Sequence, residues 1–101
     1  MISKQEIYKK LGALVRVENM VSSRGNDVPN QFILHYDGGE VFQSYDSVIA
    51  IIINGENGYI LGKDWCYSTT TSKYRNDFLN SCTSDVERDL KSGVAVLVRD
   101  L

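Results

Sequence analysis

The sequence predicts an α+β fold: a mostly antiparallel sheet of about four to six strands, packed on one side against a C-terminal helix pair, plus a short N-terminal helix. Three stretches predict it. Val48-Ile49-Ala50-Ile51-Ile52-Ile53 is apolar at every position, as a central strand covered on two sides would be. Phe32–Tyr36 and Glu40–Phe42 flank Asp37-Gly38-Gly39, which reads as a tight hairpin. From about Thr71 the spacing turns helical, with Tyr74, Phe78 and Leu79 in a stripe and Cys82 one turn on.

The elements follow in order. Ser3 and Glu6 stand in the capping-box pattern, Ile7 and Leu11 share a face, and Gly12 is a stop signal, so Ser3–Leu11 is a short amphipathic helix. Ala13–Val21 alternates poorly but is apolar enough for a strand. Ser22–Asp27 is a polar loop, and Pro29 is expected just before the next strand, where its missing N–H costs least. Tight pairing across Asp37-Gly38 sets Ile33 opposite Phe42 and His35 opposite Glu40, apolar on apolar and base on acid. Such a turn uses Asp and Gly because they tolerate positive φ. Asn54–Gly58 is the next turn and Tyr59–Leu61 the returning strand. Trp65 and Tyr67 alternate across Cys66, which suggests a short extended piece. Ser68–Ser72 are hydroxyl residues suited to a helix N-terminus. Thr83-Ser84-Asp85 caps a second helix with Val86 and Leu90 facing inward and Gly93 beyond its end. Val94–Val98 is a last strand, apolar enough to pair inside the sheet.

One domain accounts for 101 residues, and a chain of this size buries a modest core without metal or disulfide staples. Net charge is −2, so there is no global attraction to nucleic acid or to a membrane surface. The charge is unevenly laid out. From Gly25 to Gly62 there is no Lys or Arg but Asp27, Asp37, Glu40, Asp46 and Glu56 are acidic, while the remainder is net +3. An acidic patch of this kind suits a basic protein partner; its ordinary role is to keep sheet edges soluble. The start of the chain has no apolar core of signal-peptide length, and Val48–Ile53 is far short of a membrane span. Cys66 and Cys82 do not make a disulfide framework and are expected to be reduced thiols serving as small core hydrophobes in a cytoplasmic protein.

Catalytic chemistry finds little to work with. The single histidine, His35, lies in the hairpin, far in sequence from both cysteines, so neither thiol has a base. No ligand set has zinc spacing, and the acids of Asp85–Asp89 sit at a helix start, where negative charge is favourable anyway. Asn54–Gly58 lacks the glycine pattern of a phosphate loop. The expectation is a chain that is not an enzyme and has no cofactor and no metal. The positive signal is the start of the first C-terminal helix. There Thr70, Thr71, Ser72, Lys73 and Arg75 could hold an anionic group, with both cations splayed outward on either side of Tyr74. Trp65 and Tyr67 would offer a stacking surface beside it. Ser and Thr also cap helices on their own account, which is the plainer explanation.

Several stretches resemble a family of small bacteriophage proteins of unknown function. They are Val28-Pro29-Asn30-Gln31-Phe32-Ile33, Phe42-Gln43-Ser44-Tyr45-Asp46-Ser47-Val48-Ile49-Ala50, Trp65–Leu79 (WCYSTTTSKYRNDFL) and Lys91-Ser92-Gly93. The resemblance covers Asp27 to Leu101, and Cys66 departs from it, standing where an acidic residue is expected. It implies a phage product in the cytoplasm of a bacterial host, and it transfers no activity or catalytic residue. Two functions follow as expectations. The leading one is an accessory protein that binds a host or phage protein, for instance to inhibit a host enzyme or defence system. The alternative is a nucleic-acid or nucleotide-binding module built on the Thr69–Arg75 helix start.

Overall fold

A computed structural model describes residues 2–101 and shows the α+β architecture. Helix α1 (Lys4–Leu11) opens the chain; strands β1 (Leu14–Val21), β2 (Asp27–Tyr36), β3 (Gly39–Ser44), β4 (Ser47–Ile53) and β5 (Tyr59–Leu61) follow. Helices α2 (Thr69–Leu79) and α3 (Thr83–Ser92) then lead to β6 (Ala95–Leu97). The six strands lie side by side in chain order. The first five are antiparallel neighbours, and β6 runs parallel to β5 because α2 and α3 carry the chain back between them.

Alternation along the central strands divides the core into two faces. Val41, Ile51 and Ile60 point to one face, where Ile7 and Leu11 of α1 close over them with Ile53 and Val98. Phe42, Ala50 and Leu61 point to the other, where Tyr74 and Phe78 of α2 and Val86 of α3 cover them. The helix pair thus takes one side of the sheet and α1 the other, which is why Val48–Ile53 is apolar throughout. The strand does not alternate strictly. The β3–β4 register shifts between Phe42 and Gln43, so Ile49 is an extra residue in β4. That bulge lets Ile49 and Ala50 serve the α2–α3 face while Val48 serves the α1 face.

Local chemistry explains the ends of the elements. The Ser3 hydroxyl accepts from the Glu6 amide at 3.2 Å, and Gly12 ends α1 at φ 74°. The β2–β3 register is as the sequence predicts: Ile33 lies opposite Phe42 and His35 opposite Glu40. The reason for its glycines differs. Neither Gly38 nor Gly39 has a left-handed φ. A Cβ on Gly38 would instead sit 2.1 Å from the Lys10 carbonyl oxygen, and the Gly38 amide donates to the Leu11 carbonyl at 2.8 Å. The hairpin tip is bare so that the end of α1 can rest on it.

Several expectations are corrected. Pro29 lies inside β2, in an irregular stretch where the β1–β2 register shifts and Asn30 takes φ 65°; the missing N–H is tolerated because the ladder is already interrupted there. The piece Trp65–Tyr67 is not extended. Two successive turns fold it, closed by the Trp65 amide on the Gly62 carbonyl (3.2 Å) and the Tyr67 amide on the Asp64 carbonyl (3.1 Å). Helix α2 begins at Thr69, with Ser68 as its cap. Strand β6 is an edge strand of three residues, not an interior one, with Val96 exposed. Cys66 and Cys82 are exposed free thiols, not core residues. Cys66 lies in the turns, and Cys82 occupies the N-cap position of α3, which the sequence places at Thr83 or beyond.

Candidate functional site

The predicted site is divided by the structure. Trp65, Arg75 and Thr71 belong to the interior. Trp65 is half-buried between the two clusters on the α2–α3 side. Arg75 is fully buried, as is Thr71. The Arg75 guanidinium stacks on the Trp65 ring at 5.2 Å and donates to the Trp65 carbonyl (2.5 Å), the Asn76 amide oxygen (2.9 Å) and the Thr83 hydroxyl (3.0 Å). Burial holds its pKa below the usual guanidinium value. The expected outward splay is therefore wrong for Arg75, because α2 is buried along two lines. Tyr74 and Phe78 face the sheet, while Arg75 faces the Trp65 turn and the start of α3. Lys73 is exposed and lies over the Tyr74 ring at 5.4 Å.

Tyr67 and Thr70 remain at the surface and look onto a cleft that the sequence does not announce. It lies between the β3–β4 turn and the N-terminus of α2, with a volume of about 470 Å³. Its strand-side wall is Ser44, Tyr45, Asp46, Ser47 and Ile49; its helix-side wall is Asp64, Tyr67, Ser68, Thr70 and Thr71. Hydroxyl bonds brace it. Ser44 Oγ and Thr71 Oγ1 are 3.1 Å apart, Ser68 Oγ donates to Thr71 Oγ1 at 3.1 Å, and Ser47 Oγ donates to Asp64 Oδ2 at 2.8 Å. Ser68 Oγ also accepts from the Thr71 amide at 3.1 Å, which caps the helix. Much of the hydroxyl run thus builds the wall of the cleft and the end of the helix.

What the cleft offers a ligand is negative charge and aromatic surface. Asp46 and Asp64 line it and, among the described residues, no Lys or Arg does. Tyr45 and Tyr67 flank it at 57% and 72% exposure. Tyr45 holds φ 55°, a left-handed conformation uncommon for an aromatic residue, and its amide donates to the Asn30 carbonyl at 2.8 Å. Gln31, paired with Ser44, is buried, and its Oε1 has no partner among the described residues. A phosphate at this helix start would meet two carboxylates and neither predicted cation, so the anion site drawn from Thr70, Thr71, Ser72, Lys73 and Arg75 does not assemble. The missed residues are Ser44, Tyr45, Asp46, Ser47 and Asp64. Their signal was Tyr45-Asp46-Ser47, an aromatic and an acid at the break between two strands.

Two of the other acids of the basic-free segment, Glu40 and Glu56, have a basic side chain beside them. His35 bridges three strands, with Nε2 2.8 Å from Glu18 and Nδ1 3.1 Å from Glu40. Lys10 meets Glu56 at 2.9 Å. Asp46, like Asp27 and Asp37, has no such neighbour among the described residues. Among these residues no group of three His, Cys, Asp or Glu side chains could hold a metal ion, and no helix is long and apolar enough to cross a membrane.

No curated protein and no solved structure matches the chain. A family model does, over residues 15–93: the chain belongs to a family of unknown function, DUF8033.

Proposed function

We propose that the chain is a non-catalytic binding protein that takes a basic segment of a protein partner into the cleft between the β3–β4 turn and α2. The observation that carries this reading is the lining: two carboxylates, two open tyrosines and no cation. A lysine or arginine side chain entering there gains charge attraction from Asp46 and Asp64 and ring faces from Tyr45 and Tyr67. The walls are braced by hydroxyl bonds, so little order is lost on binding. The resemblance of WCYSTTTSKYRNDFL and the neighbouring motifs to small phage proteins supports a finer version. In it the chain is a phage accessory protein that binds a host protein in the bacterial cytoplasm and inhibits an enzyme or a defence system. The nucleic-acid alternative has lost its two-cation helix start, since Arg75 is buried.

The test is affinity capture from bacterial lysate, with nuclease added to one half, using the wild type and an Asp46→Lys, Tyr67→Ala variant. Both residues are exposed, so the melting temperature should hold, surface changes costing about 0.5 kcal/mol or less. A protein that survives nuclease and is lost with the variant is the expected result. A partner retained by the variant places binding elsewhere, and one released by nuclease makes the ligand a nucleic acid.

A further inference from the structure

The sheet ends at β1 in an open edge. β1 is the first strand in the order, so among the described residues nothing pairs with its outer edge. It is eight residues long, and only Met20 in it is buried. Leu14, Val15, Val17 and Val21 are 50%, 64%, 55% and 54% exposed. A long apolar free edge takes up another strand unless something prevents it, and the usual devices are bulges and charges. Here the register shifts lie toward the ends, between Leu14 and Arg16 and between Asn19 and Val21, and they leave Arg16–Asn19 regular. The two charges in that regular segment, Arg16 and Glu18, are opposite in sign and symmetric about Val17.

We propose that β1 pairs antiparallel with β1 of a second copy of this chain, on a two-fold axis through Val17, so that the sheet runs on unbroken through a dimer. In that register Arg16 of each chain faces Glu18 of the other, and Val17 faces its own copy. Moving the axis to Arg16 sets arginine against arginine, and moving it to Glu18 sets glutamate against glutamate. The charges that guard this edge against other strands therefore select one register of self-pairing. Within one chain Arg16 lies a loose 3.6 Å from Glu18, while His35 holds Glu18 at 2.8 Å and fixes its carboxylate. The occupant is a second copy because the pattern complements itself. An edge built for a foreign strand needs no symmetry about one residue.

Sedimentation velocity over a dilution series tests this, with a thermal melt of each variant as the control for folding. The wild type should run with the mass of two chains and dissociate on dilution. Arg16→Glu alone and Glu18→Arg alone each create facing like charges and should weaken the dimer about tenfold or more. The double swap restores opposite charges and should restore the dimer. Val17→Cys, made with Cys66→Ser and Cys82→Ser, should form a disulfide between two chains on mild oxidation; it changes no charge and decides the matter if a swapped variant does not fold. A wild type monomeric at every concentration overturns the proposal. So does a dimer indifferent to the single swaps, a double swap that fails to restore it, or a Val17→Cys chain that stays uncrosslinked.

Discussion

Arg75 is the largest fully buried side chain of the domain. Its acceptors are neutral: the Trp65 carbonyl, the Ser72 and Thr83 hydroxyls and the Asn76 amide oxygen. A guanidinium taken from water survives on such partners because its fork can satisfy several at once and its flat face can rest on an indole. It ties together three pieces of chain: the turn at Trp65, helix α2 and the start of α3. This also explains why Thr83 does not cap α3, since its hydroxyl is engaged by Arg75 and Asn76. Arg75→Ala should therefore cost about 2–5 kcal/mol, from a cavity and from a carbonyl left without its donor. Arg75→Lys should recover little, because an ammonium cannot span the same acceptors. Lys73→Ala, two residues away and exposed, should stay within about 0.5 kcal/mol. Urea titration of the three variants decides it, and equal losses for Lys73 and Arg75 would count against this account. The sequence could not show the difference. Lysine and arginine on either side of an inward tyrosine both read as surface, and only the turns at Trp65 bring a second buried surface to α2.

At the scale of elements, β5 is the weakest link in the sheet, with three residues and two paired positions to β4. A side-chain bond compensates. Tyr59 Oη donates to Asp89 Oδ2 at 2.7 Å and fastens β5 to α3. Burial, and then this bond to Asp89, raise the Tyr59 pKa well above its usual value. The folded state therefore holds the phenol proton more tightly than the unfolded state. The stabilisation is complete below the unfolded tyrosine pKa of about 10 and is lost as pH rises through the higher folded value. Melting temperatures should fall above about pH 10, and Tyr59→Phe should flatten that fall while lowering stability at neutral pH. An alkaline profile unchanged by Tyr59→Phe would show that another group sets it. The elements themselves were legible to different degrees. The β2–β3 hairpin could be read to its register because apolar and charged partners matched across the turn. β1 reads poorly because much of it covers no core, so selection for alternation is absent. The parallel placement of β6 has no local signal, since a run of three to five apolar residues looks alike at an edge and in the interior.

The whole molecule is a sheet with two covers, and the two covers differ in how visible they are. The α2–α3 side belongs to the stretch matched by the family model, residues 15–93, and its apolar stripe is readable in Tyr74, Phe78 and Val86. The other side is closed by α1, which lies outside that match yet places Ile7 and Leu11 in the core at 0% exposure. Its link to the sheet is specific: the helix ends on the bare hairpin tip, with the Leu11 carbonyl accepting from the Gly38 amide. Val41, Ile51 and Ile53 would otherwise face water. Two perturbations of this face should then behave alike. Ile51→Asp places an unpaired carboxylate under α1 and should abolish soluble, cooperatively melting protein. Removal of residues 1–12 uncovers the same side chains and should leave a chain that binds hydrophobic dyes and melts without cooperativity. Leu11→Ala is the graded version, with an expected loss of about 2–5 kcal/mol by urea titration. If the truncated chain melts as one sharp transition, α1 is an accessory to a sheet that is stable on its other cover alone. If it fails while Leu11→Ala melts lower but still cooperatively, the domain needs both of its faces closed, and the central strand is apolar at every position for that reason.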